Sequence, residues 1–168
     1  MIQHPIRPAV AGDLRDVAAL IDRAIRISNA PEYTVREQMA VLADYSLPAL
    51  GLLLASASLF AVAEMALKAG GAPETAGAIA VSPVRRREGG ELAVINALFV
   101  DPLAQGMGVG GALVDEAVLR LKREEAHAIA VSASLSAAGF YAHMGFSRVG
   151  SGRATSGVEI VRMERRLV

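Results

Sequence analysis

Seven residues concentrate the chemistry open to this chain: Gln105-Gly106-Met107-Gly108-Val109-Gly110-Gly111, set between a run that reads as a strand and one that reads as a helix. Glycine permits positive φ and lets a ligand approach the main chain without meeting a Cβ. The first amides of a helix have no partner inside it, and the helix dipole favours negative charge there. Such a turn therefore suits a phosphate or pyrophosphate. A plain connecting turn is the alternative, but glycine within a helix costs roughly 1 kcal/mol relative to alanine, which makes a glycine-rich helix start a poor mere connection.

Two common nucleotide folds are disfavoured by the surroundings of this turn. Gly106, Gly108 and Gly111 formally satisfy G-x-G-x-x-G, yet Asp101-Pro102-Leu103-Ala104-Gln105 separates them from the strand. A dinucleotide fold runs its strand straight into the glycines and places an acidic residue about 20 positions on, where this chain has Val131-Ser132-Ala133-Ser134. No Gly-Lys-Ser/Thr follows the glycines, so a Walker loop fails as well.

The elements that must hold the turn can be read from periodicity. An extended piece lies around Ile6-Arg7-Pro8-Ala9, and Asp13 stands where a helix start wants a small acceptor. Leu14, Val17, Ala18, Ile21 and Ile25 then recur at helical spacing. Thr34 followed by Glu37 predicts a capping box for a helix from Val35 to about Ala43. Leu59 to Met65 and Ala78 to Ser82 read as strands joined by the loop Gly70-Gly71-Ala72-Pro73. Arg85-Arg86-Arg87-Glu88-Gly89-Gly90 reads as a solvated turn before a long strand, Leu92 to Val100. Gly110, Leu113, Val114, Ala117, Val118 and Leu121 form the apolar stripe of the helix after the glycines, with Asp115, Lys122 and Arg123 opposite. A strand from Ala128 to Ala133, a short helix from about Ala137 to Met144 and a strand from Val158 to Met163 complete the chain. Hairpins in the middle and a strand-helix-strand unit later predict a single α/β (α+β) domain over residues 1–168. Its sheet is mixed, mostly antiparallel, and flanked by helices.

Composition narrows the partners. The 168 residues carry 17 Lys+Arg against 17 Asp+Glu, so no basic excess draws the chain to nucleic acid or an acidic membrane, and neither is expected as a partner. Cysteine is absent, which removes disulfides, thiolate metal sites and a cysteine nucleophile together. His4, His127 and His143 match no metal spacing, so no metal is expected. His143 is expected to face solvent. The start, Met1-Ile2-Gln3-His4-Pro5, lacks a basic run followed by an apolar one, and a cytoplasmic location is expected. Leu47 to Ala63 has no charged side chain, but Pro48, Gly51, Ser56 and Ser58 interrupt it. It is expected to be a buried helix end leading into a central strand rather than a membrane span.

In two places the chain resembles the GNAT superfamily of acetyl-CoA-dependent N-acetyltransferases. That family's Gln/Arg-x-x-Gly-x-Gly/Ala signature, after a strand ending apolar-Val-x-Pro, is matched by Leu98-Phe99-Val100-Asp101-Pro102, Gln105 to Gly110 and Ala112-Leu113. Its Asn/Ser-x-x-Ala-x-x-Phe-Tyr-x-x-x-Gly-Phe element is matched by Ser134 through Ala137, Phe140 and Tyr141 to Gly145-Phe146. The order of elements agrees over nearly the whole chain.

The resemblance implies a GNAT-like fold and acetyl-CoA (coenzyme A) as acetyl donor. It implies that main-chain amides of Gly106, Met107, Gly108, Val109, Gly110 and Gly111, in the signature opened by Gln105, hold the pyrophosphate. Leu98, Phe99 and Val100 would pair with the pantetheine arm, one of those amides steadying the thioester oxygen. Ser134, in place of the commoner Asn, and Ala137 would complete the cofactor side. Tyr141 matches the family tyrosine proposed to protonate the departing thiolate, which is chemically sound because a phenol's reference pKa of about 10 exceeds a thiol's, about 8.5. Glu91 lies near where some members carry a glutamate that relays the amine proton; Glu64 and water are the alternatives. Tyr33, Glu37 and Gln38 resemble a Tyr-x-x-x-Glu-Gln element near the acceptor, and Asn96 stands where relatives often carry an acid.

Without cysteine no acyl-cysteine can form, so direct attack by a small-molecule or peptide amine in a ternary complex is the economical route. The resemblance also allows a homodimer. A non-catalytic acyl-CoA sensor of the same fold and a purely structural subunit are the competing readings.

Overall fold

Apolar residues alternate between two helix layers along the central strands, and this alternation organises the molecule. The computed structural model describes residues 4–167; Met1 to Gln3, part of the start on which the expected lack of a leader rests, lie outside the described residues. Eight strands form one sheet: β1 (Ile6–Pro8), β2 (Leu59–Met65), β3 (Glu74–Val81), β4 (Arg85–Arg87), β5 (Gly90–Val100), β6 (Ala128–Ser134), β7 (Ser147–Arg153) and β8 (Glu159–Arg166). Five α-helices flank it: α1 (Leu14–Arg23), α2 (Val35–Asp44), α3 (Leu47–Ser56), α4 (Val109–Arg123) and α5 (Ala138–His143). The strand order is β1-β2-β3-β5-β6-β8-β7, with β4 also paired to β5. All neighbours are antiparallel except β5 and β6, the pair linked by the α4 crossover.

Phe60, Val62, Ala78 and Ala80 turn to one face, against Val17, Leu20 and Ile21 of α1, Ile25 in the turn that continues it and Leu50 of α3. Ala61, Ala63, Ile79 and Val81 turn to the other, against Val109, Leu113, Val114, Ala117 and Leu121 of α4. Burying aliphatic side chains of this size contributes about 1.5–3 kcal/mol each, so α4 is fixed firmly to the sheet. Gly77 on β3 makes the contact closer still. A Cβ there would stand 2.7 Å from Val109 Cγ1 and 2.9 Å from Leu113 Cδ1. The start of α4 can therefore rest directly on the strand.

The expected stripe of α4, the β2–β3 hairpin and the capping box all stand in the structure. Thr34 Oγ1 accepts from the Glu37 amide at 3.1 Å, and Glu37 accepts from the Thr34 amide at 2.8 Å. Asp13 differs from expectation. It makes no cap to α1 but accepts from Arg7 at 2.8 Å and from the Val10 amide, because a strong cation on β1 outcompetes the helix amides for it. Arg85–Arg87, expected as turn, form the exposed strand β4 in register with Gly90, Glu91 and Leu92. The uncharged segment from Leu47 is a full helix opened by the Ser46 hydroxyl and Pro48. Only Leu50 of it is buried, and Leu47 and Leu52 are exposed. Among the described residues, no single helix is long and apolar enough to cross a membrane.

Candidate active site

Where β5 and β6 stop pairing, the sheet opens. Their register holds from Leu92↔Ala128 to Ile95↔Val131 and no further, although β5 runs on to Val100 and β6 to Ser134. The opening begins at a bulge: β3 pairs Ala80 with Ala97 and Val81 with Ile95, so Asn96 is the extra residue. Bulges re-aim the chain and sharpen its bend, which helps drive the two strands apart here.

Beyond the bulge, β5 offers main-chain groups with no strand beside them. The Asp101 amide donates to the Ala76 oxygen on the β3 side. Because hydrogen bonding alternates along an antiparallel strand, Leu98 and Val100 turn their amides and carbonyls into the gap. The cavity so formed has a volume of about 940 Å³ and is lined by the end of β5, the glycine loop, β6 and α5.

The glycine loop closes one end of it. Gly106 and Gly108 adopt φ of 76° and 85°, and nothing stands within 4 Å of a Cβ placed on Gly106. The amides of Gly108, Val109, Gly110 and Gly111 find no acceptor among the described residues, while the Ala112 amide is the first to bond back, to Gly108. Open space and unpaired amides at the start of a 15-residue helix are what a pyrophosphate-sized anion requires, so the loop fits one. The loop is anchored from behind. Asp101, 1% exposed, accepts from the Leu103 amide and from the Arg23 guanidinium. Gln105 donates to Ser28 Oγ at 2.7 Å, tying the loop to the π-turn Ala24–Ser28 that continues α1. Such single-turn irregularities often mark functional sites.

Three tyrosines reach the cavity, and their hydroxyls differ. Tyr45 donates to the main-chain oxygen of Asn96 at 2.7 Å and stacks edge-on to Phe99, with ring centroids 5.0 Å apart. Burial, with Asp44 nearby, pushes its pKa up to about 12. Tyr33 faces Ser134; burial raises its pKa above the ordinary value, with Glu32 adding to the effect. Tyr141 is wedged edge-on between Phe140 and Phe146, at 5.1 and 5.2 Å. Its hydroxyl has no hydrogen-bond partner among the described residues, and it borders the cavity. Burial, seconded by Tyr45, raises its pKa well above that of free tyrosine. It stays a protonated phenol at neutral pH.

Of the residues singled out from sequence, Leu98, Phe99, Val100, Gln105, Gly106, Gly108, Val109, Gly110, Gly111, Ser134, Ala137, Tyr141, Tyr33 and Asn96 all line this cavity. Met107 and Glu37 do not. Met107 is exposed, its carbonyl bonded to His4 Nε2 at 2.7 Å, and Glu37 is engaged in its cap. Glu91 also stands outside, early on β5, its carboxylate against Nδ1 of His127. His143 is exposed, as expected, but sits at the cavity edge. Tyr45 went unforeseen: nothing in its sequence neighbourhood announces that the end of α2 crosses the bulge.

Residues 53–167 match the family model described as Acetyltransferase (GNAT) domain. No curated protein matches the chain. Among solved structures it is similar to a GCN5-related N-acetyltransferase ("Aminotransferase, Class-II") from Rhodopseudomonas palustris, with a TM-score of 0.83 and 22% identity over 99% of this chain and 97% of that one. The PaiA N-acetyltransferase from Thermoplasma acidophilum, solved in complex with coenzyme A, gives 0.79 and 16% over 98% and 99%. A GNAT family acetyltransferase from Brucella melitensis, in complex with acetyl-CoA, gives 0.61 and 24% over 95% of each chain.

Proposed function

Since the chain belongs to the GNAT acetyltransferase family, we propose that it moves an acetyl group from acetyl-CoA to a primary amine by direct attack in a ternary complex. The observation that carries this reading is the gap between β5 and β6, with unpaired strand amides along one wall and unpaired helix amides at its end. The neighbours solved with coenzyme A and acetyl-CoA support the choice of donor.

Each wall has a task in this scheme. The amides from Gly108 to Gly111 grip the pyrophosphate, and Gly106 and Gly108, whose positive φ favours glycine, put no side chain in its way. Leu98 and Val100 receive the pantetheine arm as a strand edge receives an added strand. Ser134 and Ala137 face it from the opposite wall. An amide beside the Asn96 bulge donates to the thioester oxygen as charge gathers there, usually the largest single catalytic contribution.

Transfer forms a C–N bond and breaks a C–S bond; the amine loses one proton and the sulfur gains one. Tyr141 supplies the second, because its phenol is protonated and uncommitted, whereas Tyr45 already donates to Asn96. Glu91 does not line the cavity and its carboxylate faces His127, so the first leaves to water.

The test mixes the protein with acetyl-CoA and a panel of primary amines, following free thiol alongside acetylated amine. Equal appearance of the two is expected. Acetyl-CoA binding with no thiol release would favour a sensor, and no binding by calorimetry would overturn the reading.

A further inference from the structure

A second groove opens from the mouth of the cavity. It has a volume of about 420 Å³ and is lined by Asp44, Tyr45, Ala49, Leu52, Leu53, Ser56 and Asn96. Asp44, Tyr45 and Asn96 belong to both spaces, so the groove continues the cavity. Its position is informative. The donor's arm, gripped at Gly108–Gly111 and running back along Val100 and Leu98, ends at Asn96. Whatever approaches the thioester from the far side passes the groove.

The lining divides sharply in character. Asp44 is exposed, and its carboxylate forms no ion pair or side-chain hydrogen bond among the described residues. Beyond it lie side chains of α3: Ala49, Leu53 and Leu52, the last 73% exposed. A free carboxylate at the junction attracts an ammonium, the form an alkylamine takes at neutral pH. The leucine surface rewards an apolar body and offers nothing to a second charge.

Resting on the acetyl-transfer reading above, we infer that the acceptor is a small primary amine with an apolar, uncharged body, its ammonium taken by Asp44 and its body by Ala49, Leu52 and Leu53. Asp44 captures the cation at the entrance, and the nitrogen loses its proton before it attacks. A carboxylate beside the amine would meet Asp44, and a charge at the far end, carboxylate or second ammonium, would lie on leucine, so amino acids and diamines are poor substrates.

The experiment measures kcat/KM across n-alkylamines from ethyl to hexyl, with 1,6-diaminohexane and 6-aminohexanoate, in wild type, Asp44→Asn and Leu52→Gln. We expect a rise of about threefold per methylene in wild type, flattened in Leu52→Gln. Asp44→Asn should lose about fivefold, through KM, with acetyl-CoA affinity unchanged. A flat series in protein that binds acetyl-CoA and acetylates amines overturns this inference alone. So does an Asp44→Asn variant with wild-type KM. So does a wild-type dimer that Leu52→Gln dissolves while the amine profile stays the same, for then a second copy covers the groove. Absence of acetyl-CoA binding, or of any amine acetylation, removes the underlying reading instead.

Discussion

Arg23 and Asp101 meet behind the glycine loop, with Nη2 at 2.7 Å and Nε at 2.8 Å from the same carboxylate oxygen. The arginine closes α1, and the aspartate ends the strand that feeds the loop. A contact between residues 78 positions apart in sequence thus fixes the angle at which the loop leaves the sheet.

Asp101→Asn should therefore weaken both fold and ligand binding. The variant keeps the shape but loses a charge-assisted pair, at a cost of about 1–3 kcal/mol in urea unfolding. Acetyl-CoA affinity should fall as the loop loosens, measured by calorimetry. Loss of stability with unchanged affinity would show that the pair serves the core alone.

Gly108→Glu should abolish tight acetyl-CoA binding. Its φ of 85° strains any side chain by about 1–2 kcal/mol, and the new carboxylate would face the pyrophosphate. Gly89→Glu is the control: φ is 100° and the space around it is open, but it lies in the β4–β5 turn. The first should raise Kd more than about tenfold, the equivalent of about 1.4 kcal/mol, and the second should leave it alone.

Tyr141→Phe should lower kcat by about a hundredfold with acetyl-CoA Kd unchanged. The phenyl ring keeps its place between Phe140 and Phe146, so unfolding should shift little. A wild-type rate would remove Tyr141 from the proton path.

Alkaline titration offers a fourth check. The chain has three tyrosines, Tyr33, Tyr45 and Tyr141, and burial raises the pKa of all of them. A raised folded-state value means that the native protein holds protons the unfolded chain would release above about pH 10. Their contribution to stability is thus full below that pH and is lost as pH climbs through the folded values. Stability should be level across neutral pH and fall beyond about pH 10, with phenolate absorbance at 295 nm rising together with unfolding. Phenolate appearing at pH 10 in a folded chain would contradict the burial.

Much of this was legible in the chain because local patterns act locally. Leu59–Met65 is a strand with the bounds its residue types suggest, and Thr34 and Glu37 close the box their spacing describes. Glycines at 106 and 108 sit in the left-handed region where only glycine is comfortable. What escaped depended on tertiary placement. Asn96 becomes a bulge only because β3 skips it, and Tyr45 matters only because α2 ends above that bulge. The family resemblance alone points to Glu91, and a resemblance in sequence does not fix which end of a strand meets the site. It starts a strand whose far end carries the site, and the residue it meets is His127. The polar, glycine-rich Ser147–Arg153 shows no alternation, so β7 gave no strand signal and is held by its partner β8.

The two halves of the sheet share only four rungs, Leu92 to Ile95 against Ala128 to Val131. Past them, the ladder stands open like an unfinished zip. A guest laid between the halves supplies the missing teeth, so stiffness belongs to the loaded protein more than to the bare one. Melting temperature and amide protection around Leu98 and Ser134 are thereby tied to how much donor surrounds the molecule.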